Sequence, residues 1–354
     1  MSRGLIFSSV ARLVTRDEGS EEVEPRPREK WRNGDFVVGR VVRGSTERLL
    51  ELRNGRKVEL TEGDRIVGAL GRRAATLEAT GSWEKVTSDL QMEVLTGGGV
   101  LGRVTSLSML MDPFPSVDYE GHLLVNGEPT SMAGVVPPGP DPRPYRIPTI
   151  LVAGTSMSAG KTTAARILIR RLVDQGLEVL GAKLTGAGHY RDILGMSDAG
   201  AATVLDFVDG GLPSTVVEPE EYGRALKRLL PRMAASKADV AVVEVGASPL
   251  EPYNGEAAVE AIRDQVRFVV LCATDPYAVL GIQKAYPLKV DLVTGVASNT
   301  TAGVELVHRL SGLPAMNLRD PETWPRAAAL LAPRLGFESG LQGAMPPGGA
   351  LEGG

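Results

Sequence analysis

The stretch that most restricts this chain runs Thr149-Ile150-Leu151-Val152-Ala153-Gly154-Thr155-Ser156-Met157-Ser158-Ala159-Gly160-Lys161-Thr162-Thr163. A short apolar run stops at glycine, a small polar loop follows, and Gly-Lys-Thr-Thr opens a helical pattern. A phosphate-binding loop has this build: small residues let the backbone close around phosphate oxygens, and several N–H donors converge at a helix start. Lys161 adds a positive charge near the outer phosphates, and the Thr162 hydroxyl is placed to ligate magnesium. Counted from Thr155 the gap to the closing glycine is that of the strict pattern, with threonine replacing its first glycine. Counted from Gly154 it is one residue longer. An ordinary glycine-rich turn does not account for the lysine and the paired threonines.

At 354 residues the chain exceeds one ordinary core, so two domains are expected. The net charge of -4 argues against nucleic acid as the main partner, because duplex binding rests on clustered Lys and Arg. The single cysteine, Cys272, lies in the apolar run 268–273 and reads as a buried strand residue. No apolar stretch reaches the roughly 18 residues that a membrane helix needs. The short apolar start at 4–7 is soon followed by Arg12 and Arg16, which points to a cytoplasmic protein without a membrane partner.

Residues 1–30 read as a flexible leader, because 16–30 alternate charge signs and carry Pro25 and Pro27. From 31 to 135 the runs are short and strand-like, with Asn54-Gly55 as a hairpin signal, which predicts a small all-β barrel or sandwich-like domain. Gly97-Gly98-Gly99 reads there as a flexible loop. The proline-rich segment 136–148 predicts a semi-rigid linker.

Beyond it, 149–337 alternates strands and helices, which predicts a mostly parallel sheet covered by helices. Strands are expected at 179–183, 239–245, 266–273, 291–297 and 315–317. Helices are expected near 197–208, 220–235, 254–264, 276–285, 301–311 and 322–334. The glycine- and proline-rich tail 338–354 is expected to be disordered.

In such sheets ligands bind outside the carboxyl ends of the strands. That rule selects Lys161, then Lys183 with Thr185, Gly186 and Gly188, and Glu244 at the end of an apolar strand. Glu244 is suited to hold magnesium directly or through water. His189 and Arg191 follow the second strand and are candidate substrate contacts. Asp198, after Ser197, is equally a candidate magnesium or substrate ligand and a helix-start acid favoured by the macrodipole. Three scattered histidines do not suggest zinc.

The loop from Gly154 to Thr162 resembles that of the dethiobiotin synthetase and cobyrinate amidotransferase group of P-loop enzymes. Lys183 with Gly186 and Gly188, Asp198 at a helix start, and Glu244-Val245-Gly246 match that group in order, over residues 148 to about 318. One departure is plain: the acid usual two positions after the first loop threonine is absent, and Met157 and Ser158 stand there. The segments Asp198 to Gly211, Glu244 to Ser248, Ser298-Asn299-Thr300 and Gly312 to Ala315 resemble the P-loop domain of the D-glutamate N-acetyltransferase family.

These resemblances imply a P-loop NTPase-like α/β fold, and the first implies a homodimer. They imply cofactor binding by Gly154, Thr155, Ser156, Ser158, Ala159, Gly160, Lys161, Thr162, Thr163 and Asn299. The implied chemistry is transfer of a phosphoryl group from ATP, with magnesium, to a small carboxylate-bearing substrate. Lys161, Lys183 and Glu244 would be its central residues; Lys183, Thr185, His189, Arg191 and Asp198 would hold substrate, and Thr162, Glu244 and Asp198 the metal. The alternative co-substrate is acetyl-CoA, whose adenosine diphosphate fits the same cradle in an N-acyltransferase. A further alternative is a nucleotide switch or metallochaperone, which the absence of a Cys- or His-rich segment and of an Asn-Lys-x-Asp motif disfavours.

Overall fold

The structure is a computed structural model that describes residues 4–15 and 22–336. The expected disordered tail, 338–354, lies outside the described residues.

The back half forms a six-stranded, wholly parallel sheet. Its order runs Thr203–Asp206, Val179–Thr185, Val240–Val245, Thr149–Gly154, Val266–Cys272, Leu292–Thr294. The three central strands are buried along nearly their whole length. They are near-continuous Val, Ile, Leu and Ala because helices cover both faces. Cys272 is a fully buried member of this core. Helices Lys161–Val173, Pro219–Ala234, Gly255–Ile262, Pro276–Ala285, Thr301–Ser311 and Trp324–Leu335 connect or flank the strands. This is the P-loop NTPase-like α/β architecture.

One element differs. The segment expected to be helical at 197–208 is split between the end of helix Tyr190–Asp198 and an edge strand, Thr203–Asp206. Gly200, at φ +106°, breaks the helix there, and Leu180 to Lys183 offer the following residues a ladder to pair with.

The front half is a barrel. Strands Arg65–Leu70, Phe36–Arg43, Ser116–Val125, Gln91–Val94 and Val100–Leu107 pair in sequence, and the last pairs back to the first. Alternation assigns the two faces. Val37, Val41, Ile66, Leu70 and Leu101 fill the interior with Trp31 and Met92. Their neighbours Phe36, Val38, Val67, Ala69 and Val100 face outward, into one continuous core with Leu180, Ala182, Leu184 and Phe207 of the parallel-sheet half. The two halves therefore share a core.

Three expectations are corrected by this packing. Residues 5–14, assigned to the flexible leader 1–30, are built in: Ile6–Phe7 pairs in parallel with Ile66 and Val67, and Val10, Ala11 and Val14 are buried. Their apolar run is too short to read as an element alone, but it fills the seam. Gly97-Gly98-Gly99 is no flexible loop but a close approach, since a Cβ at Gly98 would lie 1.9 Å from the Gly188 carbonyl oxygen. The linker 136–148 is a spacer only in part: Tyr145 and Ile147 are buried, and Tyr145 shares a 2.7 Å hydrogen bond with Thr149.

Candidate functional site

The loop 155–160 leaves the carboxyl end of the central strand Thr149–Gly154 and turns into helix Lys161–Val173. Gly160 sits at φ +97°, a left-handed conformation that L side chains rarely adopt, immediately before the helix. Gly154 leaves room for the lysine to fold back, since a Cβ there would lie 2.7 Å from Lys161 Cδ. Lys161 Nζ donates to the Ser156 carbonyl at 2.5 Å and to that of Met157 at 3.3 Å. The first helical N–H groups have no partner within the helix. The result is a preformed anion cradle carrying a lysine.

The neighbouring strands bring the rest. Glu244 is in register with Val152 on one side and Lys183 on the other, and Lys183 in turn with Asp206. Strand pairing thus places Lys183, Glu244 and the loop side by side. Thr162 Oγ1 donates to Glu244 Oε2 at 3.1 Å. The buried Lys183 forms an ion pair with the half-buried Asp192 of helix Tyr190–Asp198.

The electrostatics follow from burial and neighbours. Burial pushes the Lys161 ammonium down from its ordinary value, with Lys183 adding to the effect and Glu244 opposing it. Burial likewise raises the Glu244 carboxyl, against the pull of Lys183 and Lys161. Burial would lower Lys183, but Asp192 and Glu244 outweigh it and hold it above its ordinary value. Burial lowers His189, and Lys183 adds to that against Asp192.

These groups line one cleft of about 250 Å³, walled by Ser158, Lys161, Thr162, Lys183, Gly186, His189, Asp192 and Glu244. Its opposite wall comes from the barrel: Arg73, Glu78 and Thr96. A second groove, behind the loop, is lined by Gly160, Thr163, Ile167, Asn299, Asn317 and Arg319.

The expected residues divide accordingly. Ser158, Lys161, Thr162, Lys183, His189 and Glu244 meet in the cleft, and Gly160, Thr163 and Asn299 in the groove. Gly154, Thr155, Ser156 and Ala159 shape the loop between. Thr155 Oγ1 accepts from the Thr274 N–H at 3.2 Å, and the buried Ser156 hydroxyl has no hydrogen-bond partner among the described residues.

Thr185 is buried and spends its hydroxyl on the Gly246 carbonyl, tying two strand ends together instead of facing the cleft. Arg191 is exposed; its backbone N–H is used, donating to Glu51 at 2.7 Å. Asp198 is corrected on both counts. It is exposed and ends its helix instead of opening it, eight residues and about 12 Å along the axis from Tyr190.

Sequence reasoning missed Arg73, Glu78, Thr96 and Asn317, and left Asp192 without a role. Arg73 carried no local signal: in Arg72-Arg73-Ala74-Ala75 only the fold shows which arginine is buried.

The donors present fit magnesium. Among the described residues no group of three or more His, Cys, Asp or Glu is placed to hold a metal. One hydroxyl and one carboxylate in contact are nonetheless the protein share of a site that phosphates and water complete.

No family model matches the chain, and no curated protein matches it. Among solved structures it is similar to the signal recognition particle receptor FtsY from Elizabethkingia anophelis, at 15% identity and a TM-score of 0.34, over 52% of this chain and 61% of that one. It is similar to a ParA family ATPase from Chlorobium tepidum, at 15% identity and a TM-score of 0.30, over 54% of this chain and 91% of that one. It is also similar to the signal recognition particle 54 kDa protein from Aeropyrum pernix in complex with GDP, at 17% identity and a TM-score of 0.31, over 56% and 51%. The chain therefore spans only about three fifths of the FtsY chain it matches. Likenesses this distant carry nothing about activity; strand order and loop geometry define the P-loop fold. Among the described residues no helix is long and apolar enough to cross a membrane.

Proposed function

We propose that this protein binds a nucleoside triphosphate with magnesium and transfers its terminal phosphoryl group to a small, carboxylate-bearing acceptor in the cleft between barrel and sheet. The observation that carries the reading is the convergence of Lys161, Lys183, Thr162 and Glu244 at adjoining strand ends, in a cleft closed on its far side by the barrel. The phosphates would lie on the loop amides. The base would lie in the groove beside Asn299 and Asn317.

Magnesium, held by Thr162 and Glu244, would neutralise charge between the outer phosphates. Lys161 would leave the carbonyls it now holds and follow charge onto the transferring group. Lys183, fixed by Asp192, would orient the acceptor. The new bond joins an acceptor oxygen to the terminal phosphorus as the bridging oxygen–phosphorus bond breaks, and the diphosphate leaves. Positioning and electrostatics do most of the work in such a transfer.

Calorimetric titration with Mg-ATP, Mg-GTP and acetyl-CoA tests the reading. Binding of at least one triphosphate that needs magnesium is expected. Binding of acetyl-CoA with neither triphosphate would overturn it in favour of an acyltransferase.

A further inference from the structure

The hairpin Arg72–Ala75 and Ala79–Ser82 leaves the closed barrel and reaches across the cleft. It is pinned from the sheet half. Tyr253 Oη accepts the Ala74 N–H at 3.0 Å, and Glu251 accepts the Thr76 hydroxyl at 2.6 Å. Arg73 is thereby fixed in the cleft wall with its side chain 9% exposed.

Its guanidinium is only partly satisfied. One terminal nitrogen donates to the Leu95 carbonyl at 2.6 Å, and the other pairs with Glu78. Nε is buried and, among the described residues, has no hydrogen-bond partner. Glu78 in turn accepts from the Ser158 hydroxyl of the loop at 3.4 Å. A carboxylate therefore bridges a barrel arginine and the phosphate cradle.

A buried guanidinium with an orphan N–H is costly unless an oxyanion completes it, and its planar fork suits a phosphate. A carboxylate beside a phosphate cradle is, conversely, repelled by an incoming triphosphate. We infer that Arg73 is a terminal-phosphate ligand supplied by the barrel, with Glu78 as the counter-ion that yields it when a triphosphate enters. The inference rests on the nucleotide reading above and adds what the barrel is for: it tells triphosphate from diphosphate.

The test compares a non-hydrolysable Mg-ATP analogue with Mg-ADP by calorimetry on the full chain. The unaltered chain is expected to favour the triphosphate. Arg73→Ala should lose about 10- to 100-fold in affinity for the triphosphate, the worth of a charge-assisted hydrogen bond, while ADP binding holds within about twofold. Glu78→Gln, which keeps the side-chain shape, should bind the triphosphate more tightly.

Should Arg73→Ala fail a thermal-unfolding check, Arg73→Lys carries the same comparison, since it keeps the charge and loses the fork. An Arg73 variant with the unaltered triphosphate-to-diphosphate ratio overturns the inference. So does equal loss of both ligands, or a Glu78→Gln that binds the triphosphate more weakly. An unaltered chain that binds both nucleotides alike overturns this inference alone. One that binds neither member of this pair, nor of the corresponding guanine pair, overturns the nucleotide reading beneath it.

Discussion

Lys161 and Lys183 have opposite environments, and that difference gives each its own test. Among the described residues Lys161 donates to carbonyls of its own loop, and its removal leaves the buried Glu244 with Lys183 as its neighbouring cation. Lys161→Ala should lower turnover by orders of magnitude, about 10²-fold or more, with an unfolding midpoint close to that of the unaltered chain. Steady-state rates beside a thermal melt check this, and unaltered turnover would refute the role given to the loop. Lys183 is paired instead, and Asp192 is held below its ordinary 3.8 by that lysine despite the opposing effect of burial. A carboxyl depressed on folding stabilises above its unfolded value, and that contribution is lost as pH falls through its lower folded value. Lys183, raised on folding above its ordinary 10.5, stabilises below that value and loses the contribution as pH rises through its folded value. Urea midpoints should therefore fall below about pH 4 more steeply in the unaltered chain than in Asp192→Asn. Parallel profiles for the two proteins would show that the pair contributes nothing.

At the scale of elements, helix Tyr190–Asp198 takes its N-terminal support from outside its own domain. The buried Glu51 of the strand Ser45–Glu51 accepts the Tyr190 and Arg191 N–H groups, each at 2.7 Å, and also the Ser9 hydroxyl. A carboxylate here satisfies two orphan donors and meets the positive end of the helix dipole. Because the same helix carries Asp192, the front half helps set the position of the Lys183 ion pair. Glu51→Ala should cost about 1–3 kcal/mol in stability and weaken acceptor-side chemistry more than nucleotide binding. Hydrogen exchange that stays unchanged at 190–193 in this variant would contradict the cap. The helix itself was hard to read from sequence. Its support lies 139 residues away, in a Glu51 that reads locally as the end of an amphipathic strand.

At the scale of the molecule, the N-terminal segment locks barrel to sheet. Arg12 donates to Asp206 at 2.7 Å and lies 3.0 Å from Asp209. Burial alone would lower this guanidinium, but the two carboxylates outweigh it and hold it above its ordinary value. Removing one partner of such a buried cluster strands the other, so Arg12→Ala should cost about 3–5 kcal/mol. Gly98→Ala tests the seam at a second point. Its Cβ would meet the Gly188 carbonyl oxygen, and backbone yields only if the halves part, at about 1–3 kcal/mol. Denaturant unfolding measures both. A shared core predicts one cooperative transition, and two separated transitions would show that the halves unfold independently.

The sequence by itself determined the parts whose signals are local. A phosphate loop must be small, glycine-bearing and followed by a helix, and 149–163 states all of that in one stretch. Buried parallel strands must be continuously apolar, so 240–245 and 266–272 were legible, as was Glu244 at a strand end. Short strands with turn signals likewise announced an all-β front half. What only the tertiary structure decided is what depends on pairing between distant segments. The closure of the barrel, the edge strand Thr203–Asp206 in place of a helix, and the built-in N-terminal segment all rest on partners that no local pattern names. Asp198 misled for the same reason: an acid after serine looks alike at either end of a helix until the backbone shows which end it is. Arg73 and Glu78 needed the fold most, because the burial of the arginine, its pairing with Glu78 and the contact of Glu78 with the loop join segments that no local pattern connects.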